Sequence, residues 1–233
     1  MANVINGKLY DTKSVLANRK KFLIRIGVDI NKTICMHVVH GDKLGVADKN
    51  LAGISMVDYK KAMVLDGLFT DKKAVYLFLL IADCLPIIFY DQRKKVVGLI
   101  HAGWKGVDLE IAKKAIKFMV NTYGSDPTDL VVGIGPCIYK ESFIKVNPRQ
   151  MSDSRWSSYI DKVRPCRKGG ESYYSIDLVG FTKKQLMDAG VRKDNIFESE
   201  INTAKDKRFF SHVREAKKDI SYQGRFACVI ALI

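Results

Sequence analysis

Along the chain, hydrophobic positions fall either on single helical faces or in continuous apolar runs. From Thr12 to Ile26, Val15, Leu16, Phe22, Leu23 and Ile26 follow a helical period, and Gly27 stands where a stop is needed, so the spacing predicts a helix. Ile34 to Val39 reads as a strand that delivers His40 and Gly41 to its end. Ala74 to Ile81 is a nearly continuous apolar run, broken at Ala82-Asp83-Cys84 and resumed from Leu85 to Tyr90. After the polar turn Asp91 to Lys95 a further run, Val96 to Ile100, ends at His101. Three buried strands are predicted, the last two joined as a hairpin.

Beyond His101-Ala102-Gly103-Trp104-Lys105-Gly106, a second helix is predicted from Asp108 to Thr122, with Ile111, Ala115, Ile116, Met119 and Val120 inward and Gly124 as its stop. Leu130 to Ile134 is another strand, leading to Gly135-Pro136-Cys137, and a third helix runs from Leu178 to Ala189 before Gly190. The stretch Asn147 to Tyr173 is polar, carries Pro148 and Pro165, and reads as an irregular excursion or lid. Helix, Gly, Val and a returning strand recur at 20–34 and 183–196, which hints at a repeated unit but is too short to define a duplication.

Composition makes this one α/β domain spanning 1–233: 47% of residues are hydrophobic and 27% charged, enough apolar mass for one substantial core. No run approaches the roughly 20 apolar residues that span a bilayer, and Met1 to Tyr10 does not resemble a signal peptide, so a cytoplasmic location is expected. The five cysteines, Cys35, Cys84, Cys137, Cys166 and Cys228, are scattered, odd in number and never spaced C-x-x-C, so they suggest neither a disulfide framework nor a zinc ribbon. Each reads as a buried free thiol unless it has a specific task. The net charge of +14 would attract phosphates, nucleotides or nucleic acid. Its lysines, however, are scattered as pairs such as Lys20-Lys21, Lys94-Lys95 and Lys217-Lys218, the pattern of a solvated surface, and no nucleic-acid motif accompanies them.

The break at Ala82-Asp83-Cys84 sets a charge and a thiol between two apolar strands, the kind of local inconsistency found at functional sites. His40, Cys84 and His101 all stand at ends of apolar runs. Two imidazoles and a thiolate suit zinc or copper, and three protein ligands with a fourth position open is the catalytic zinc pattern. Their spacing matches no local metal motif, so residues without a common role are the alternative. Of the four histidines, His37 is the contrast, lying inside its strand where packing or surface exposure explains it. The glycine-containing turn after His101 either offers backbone N–H groups to an anion or simply connects packed elements tightly. Asp83 either orients a ligating histidine or serves as an acid/base group, or else caps its own tight turn.

The runs Ala82-Asp83-Cys84-Leu85-Pro86, His101-Ala102-Gly103-Trp104-Lys105-Gly106 and Ile134-Gly135-Pro136-Cys137 resemble the signature blocks of the YfiH family. That family is also called the laccase-domain or multicopper polyphenol oxidase family, and its members are described as purine nucleoside phosphorylases. Asn18-Arg19, His40-Gly41, Asp66-Gly67-Leu68, Phe209-Phe210-Ser211 and Gly224-Arg225 support the resemblance, in family order across roughly residues 15–230. It implies a layered α/β sandwich of mixed sheet with flanking helices, similar to a group once labelled putative cysteine hydrolases. His40, Cys84 and His101 match the family's metal triad, usually assigned to zinc. The implied activities are phosphorolysis of adenosine, inosine and methylthioadenosine, with phosphate as co-substrate, and deamination of adenosine.

On this reading Cys84, His101, His40 and Asp83 are the catalytic candidates. Arg225 is a candidate for the anion, and Cys137 for the substrate pocket or the space beneath it. Three alternatives stand beside it: a metal-independent hydrolase or deamidase using Cys84, including peptidoglycan-precursor editing; a copper-dependent polyphenol oxidase; and a non-catalytic basic module that binds nucleic acid. The chain departs from the family pattern in several places. The arginine- and glycine-containing loop usual before the first helix is missing from Met1 to Asp11, giving a shortened N-terminus. Val38 replaces a usual Gln, Asn202-Thr203 replaces a Cys-Thr block, and the tyrosine and arginines after Phe-Phe-Ser are His212, Val213 and Arg214. These departures leave the metal triad intact and bear on the substrate and phosphate contacts.

Overall fold

The apolar runs pair into two sheets stacked face to face. In the computed structural model, residues 4–5, 8–9, 11–163, 171–216 and 223–233 are described; Pro165, Cys166, the Lys217-Lys218 pair and most of Met1 to Tyr10 lie outside them. The larger sheet has six strands in the order Ile196–Glu198, Leu130–Ile134, Leu85–Asp91, Val96–Ala102, Gly67–Thr70 and Leu44–Val46. The second has four, ordered Phe226–Ile230, Tyr76–Ile81, Thr33–His37 and Met63–Val64. Alternation along each strand decides which layer a side chain joins. Leu68 and Leu99 point into the space between the sheets, where they meet Ile34, Met36, Leu77, Leu79 and Ile81. Phe69, Ile87, Phe89 and Ile100 point the other way, onto the helices Ile111–Tyr123 and Leu178–Asp188. On the outer face of the four-stranded sheet, Cys35 and Phe78 pack with Leu23 of the helix Thr12–Arg25. The result is the expected layered sandwich of mixed sheet flanked by helices.

Strand direction places the functional end. Thr33–His37, Met63–Val64 and Tyr76–Ile81 are mutually parallel, so all three leave the four-stranded sheet at the same end. Each crosses at once into the six-stranded sheet, as Leu44–Val46, Gly67–Thr70 and Leu85–Asp91. Those three strands are again co-directional, because Leu44–Val46 is parallel to Gly67–Thr70 while both Gly67–Thr70 and Leu85–Asp91 are antiparallel to Val96–Ala102. The three crossings carry His40, Asp66 and Cys84. Val96–Ala102 and Leu130–Ile134 end at this seam as well, and Phe226–Ile230 begins there, opposite Ile81.

Most predicted elements are found within a residue or two, with informative exceptions. His101 lies inside its strand, not after it, paired with Pro86. The predicted second helix is two: a short one, Trp104–Asp108, and then Ile111–Tyr123, separated where Glu110 adopts a left-handed conformation at φ 58°. Asn147 to Val163 is no loose lid. It contains turns around a fully buried Trp156, whose indole N–H donates to Asp108 at 2.9 Å and whose ring stacks at 4.1 Å on Phe181, and Ile160–Val163 pairs with Tyr173–Ile176. The hinted repeat is a local chain reversal found three times among the described residues. Gly27, Gly124 and Gly190, all with positive φ, close a helix and are followed by one 3₁₀ turn and a strand, at Thr33, Leu130 and Ile196. Glycine is needed there because the left-handed cap penalises a Cβ.

Candidate metal centre

His40, Cys84 and His101 come together at the seam, with one ligand atom from each lying within 4.8 Å of the others. Their neighbours explain how. Asp66, fully buried, accepts hydrogen bonds from the backbone N–H of His40 at 2.9 Å and of Gly41 at 2.8 Å. These successive amides cradle the carboxylate and hold His40 at φ 59°, a left-handed conformation that histidine tolerates better than most residues. The same carboxylate lies 2.9 Å from Nδ1 of His101, which leaves Nε2 of that ring for the cluster. The two imidazoles meet edge to face with centroids 4.7 Å apart. Gly103 completes the crowding: a Cβ there would stand 3.0 Å from the His40 ring, 3.2 Å from Cys84 Sγ and 3.4 Å from the His101 ring.

Charge follows geometry. Burial alone would raise the Cys84 thiol, but His101 and then His40 outweigh it and bring its pKa down to about 6. Burial likewise opposes the imidazolium of His101, yet Cys84 and Asp66 push it up to about 9. Asp66 is held below the usual carboxylate range, burial being overcome by its bonds from His101, Gly41 and His40. Thiolate, imidazolium and buried carboxylate therefore form a polarised row. The donor set fits zinc or copper, and tetrahedral zinc with nitrogen and thiolate ligands needs separations of roughly 3.3–3.6 Å between donors, within small side-chain adjustments of those present.

The cluster opens into a cavity of about 270 Å³. Val38, Trp104, Ile138, Phe143 and Leu178 supply apolar wall, while Lys145, His212 and Arg225 supply polar groups. Arg225 thus stands where an anion contact was expected, and its guanidinium also donates to the Gly224 carbonyl at 2.7 Å. The turn after His101 contributes Trp104 to the wall. Asp83 is placed differently from the expectation that it orients a histidine. Its carboxylate accepts from Thr203 Oγ1 at 2.6 Å, Ser211 Oγ at 3.0 Å and the Val213 N–H at 2.7 Å, and its φ of 77° makes the tight turn before Cys84. Asp83 therefore anchors the 203–213 segment to the Cys84 turn, and Asp66 takes the place beside His101. Cys137 is not brought to the cavity: it is fully buried in the helix-facing core, its backbone bonded to Ile201 and Thr203, and burial pushes its thiol far up.

Sequence reasoning missed Asp66, Lys145 and His212. Asp66 carries the signal that exposed Asp83, a charge set between apolar residues, here Leu65 before it and Gly67-Leu68 after it. Lys145 carries none and His212 only its place after Phe209-Phe210-Ser211, because both come from surface segments that only tertiary packing turns toward the site.

A family model described as multi-copper polyphenol oxidoreductase laccase matches residues 3–233. The chain belongs to this laccase family. Among its laccase-family relatives, purine nucleoside phosphorylase YlmD of Geobacillus stearothermophilus is 31% identical over 207 residues, covering 88% of this chain and 75% of that protein. YlmD of Bacillus subtilis, named likewise, is 29% identical over 206 residues, covering 88% and 73%. The crystal structure of the Bacillus licheniformis hypothetical protein YfiH superposes with a TM-score of 0.84 at 27% identity, over 99% of this chain and 85% of that one. Among the described residues of this laccase-family chain, no helix is long and apolar enough to cross a membrane.

Proposed function

We propose that this chain is a zinc-dependent purine nucleoside phosphorylase acting on inosine, adenosine or methylthioadenosine, and that it also deaminates adenosine. The observation that carries the reading is the His40–Cys84–His101 cluster opening directly into a cavity with an apolar wall and cationic side chains. The names of the YlmD relatives supply the reaction.

His40, Cys84 and His101 would hold the metal, which supplies Lewis acidity in the cavity when bound. Asp66 fixes the His101 ring so that Nε2 faces the cluster, and raises the basicity of that nitrogen. Phosphorolysis requires an anion beside the anomeric carbon while positive charge develops on the ribose, and Lys145 and Arg225 attract and orient that phosphate. Trp104, Phe143 and Ile138 receive the purine and exclude water from it. Deamination in the same pocket would instead add water to C6 of adenosine and expel the 6-amino group as ammonia.

A second reading rests on the Cys84–His101–Asp66 row, which has the order of a thiolate, its base and an orienting carboxylate, and would serve a cysteine hydrolase without metal. A copper oxidase is less well supported, since dioxygen reduction by a multicopper enzyme calls on several coppers and the described residues group into one such cluster. Metal analysis of purified protein, with chromatography of inosine incubated with and without phosphate, separates the first two. Near-stoichiometric zinc and phosphate-dependent release of hypoxanthine support phosphorolysis. Undiminished turnover after complete chelation would move the assignment to Cys84 as nucleophile.

A further inference from the structure

Resting on the phosphorylase reading, we infer that His212 is a catalytic residue, the general acid that protonates the purine as it leaves. Three observations converge on it. His212 lines the same cavity as His40, Cys84 and His101, although it is remote from them in sequence. Its backbone is fixed on both sides, because Ser211 Oγ and the Val213 N–H both donate to Oδ2 of Asp83, the residue next to Cys84. A buried carboxylate thus ties the segment bearing His212 to the turn bearing a metal ligand, giving an exposed imidazole a defined place over the site. The third observation concerns the other ionisable groups that line the cavity. His40, Cys84 and His101 form the ligand cluster, Asp83 is engaged by three donors, and Lys145 and Arg225 are cations. His212 is the remaining group, and imidazole is the side chain suited to giving up and recovering a proton near neutral pH.

The chemistry calls for such a group. Phosphate oxygen forms a bond to the anomeric carbon as the glycosidic C–N bond breaks, and the electron pair of that bond goes to the purine. The departing base is then an anion unless it gains a proton, and His212 delivers that proton to a purine ring nitrogen. The imidazole recovers it from solvent after release. Lys145 and Arg225 meanwhile remain with the phosphate.

The test compares two ribosides on zinc-loaded wild-type and His212→Asn protein: inosine, whose base needs the proton, and p-nitrophenyl riboside, whose leaving group departs as a stable anion. The inference expects kcat on inosine to fall about 100-fold or more in the variant, with p-nitrophenyl riboside turnover staying within a fewfold of wild type. Zinc content and thermal midpoint verify the fold, and His212→Ala serves as the second variant. Inosine turnover retained within a fewfold, or equal losses on both ribosides, would overturn the acid role. Zinc-loaded wild-type protein that cleaves neither riboside would instead overturn the phosphorylase reading, and this inference with it.

Discussion

Asp66→Asn removes a single negative charge at the point where three strand crossings meet. In the native protein Oδ1 takes the His101 ring N–H and the His40 amide, both at 2.9 Å, and Oδ2 takes the Gly41 amide at 2.8 Å. Asparagine can turn its oxygen toward the first two donors, but its amide nitrogen then faces the Gly41 N–H, donor against donor. Hydrogen bonds to a charged group contribute about 1.5–3 kcal/mol and neutral ones about 0.5–1.5, so two weakened bonds lose about 1 kcal/mol each. The stranded Gly41 donor adds about 1–3 kcal/mol, for a total of about 3–5 kcal/mol, a large part of the stability of an ordinary domain. Because the Asp66 carboxyl is held below its unfolded value, its stabilisation is fully present above the ordinary carboxylate range and is lost as pH falls through the lowered value. The gap between wild type and variant should therefore be widest near neutrality and narrow on acidification. Denaturant titration of metal-free proteins from neutral to acid pH measures this. Chelator competition should show zinc affinity reduced about 10- to 100-fold. A variant within 1 kcal/mol of wild type at neutral pH, with unchanged zinc affinity, would refute the role given to Asp66.

Gly103→Ala tests crowding alone, since the backbone there, at φ −72°, accepts alanine while the new methyl presses on His40, Cys84 and His101 together. Zinc affinity should drop by about tenfold or more with little change in metal-free stability, read by chelator competition and thermal melting. Cys137→Ala should keep stoichiometric zinc and lose about 1–2 kcal/mol from the buried space it vacates, so metal-free variant protein would contradict its placement in the core. In metal-free wild type, Cys84 should react with iodoacetamide as a thiolate down to about pH 6, with the rate falling only below that value, whereas an unperturbed cysteine loses reactivity below about 8.5. A half-maximal rate near the unperturbed value would rule out the polarised row.

The amino-acid sequence alone determined the local elements and marked the candidate ligands. Helices Thr12–Arg25 and Leu178–Asp188 are legible because period, caps and stops are encoded within each segment, and the hairpin Leu85–Ala102 because its two strands and turn are contiguous. His40, Cys84 and His101 stood out as polar groups ending or interrupting apolar runs. What the sequence withheld depends on partners distant along the chain. Leu44–Val46, Gly67–Thr70 and Phe226–Ile230 are short strands that form only with the distant strands they pair with and the core they pack on. The break of the second helix at Glu110 and the anchoring of Trp156 meet at Asp108, a contact between segments far apart in sequence. The choice between Asp66 and Asp83 as the carboxylate beside His101 was likewise tertiary. Both are buried aspartates at crossings, and only the parallel direction of three strands, which stacks their exits at one end of the sandwich, puts Asp66 against the imidazole and turns Asp83 toward Ser211 and Val213.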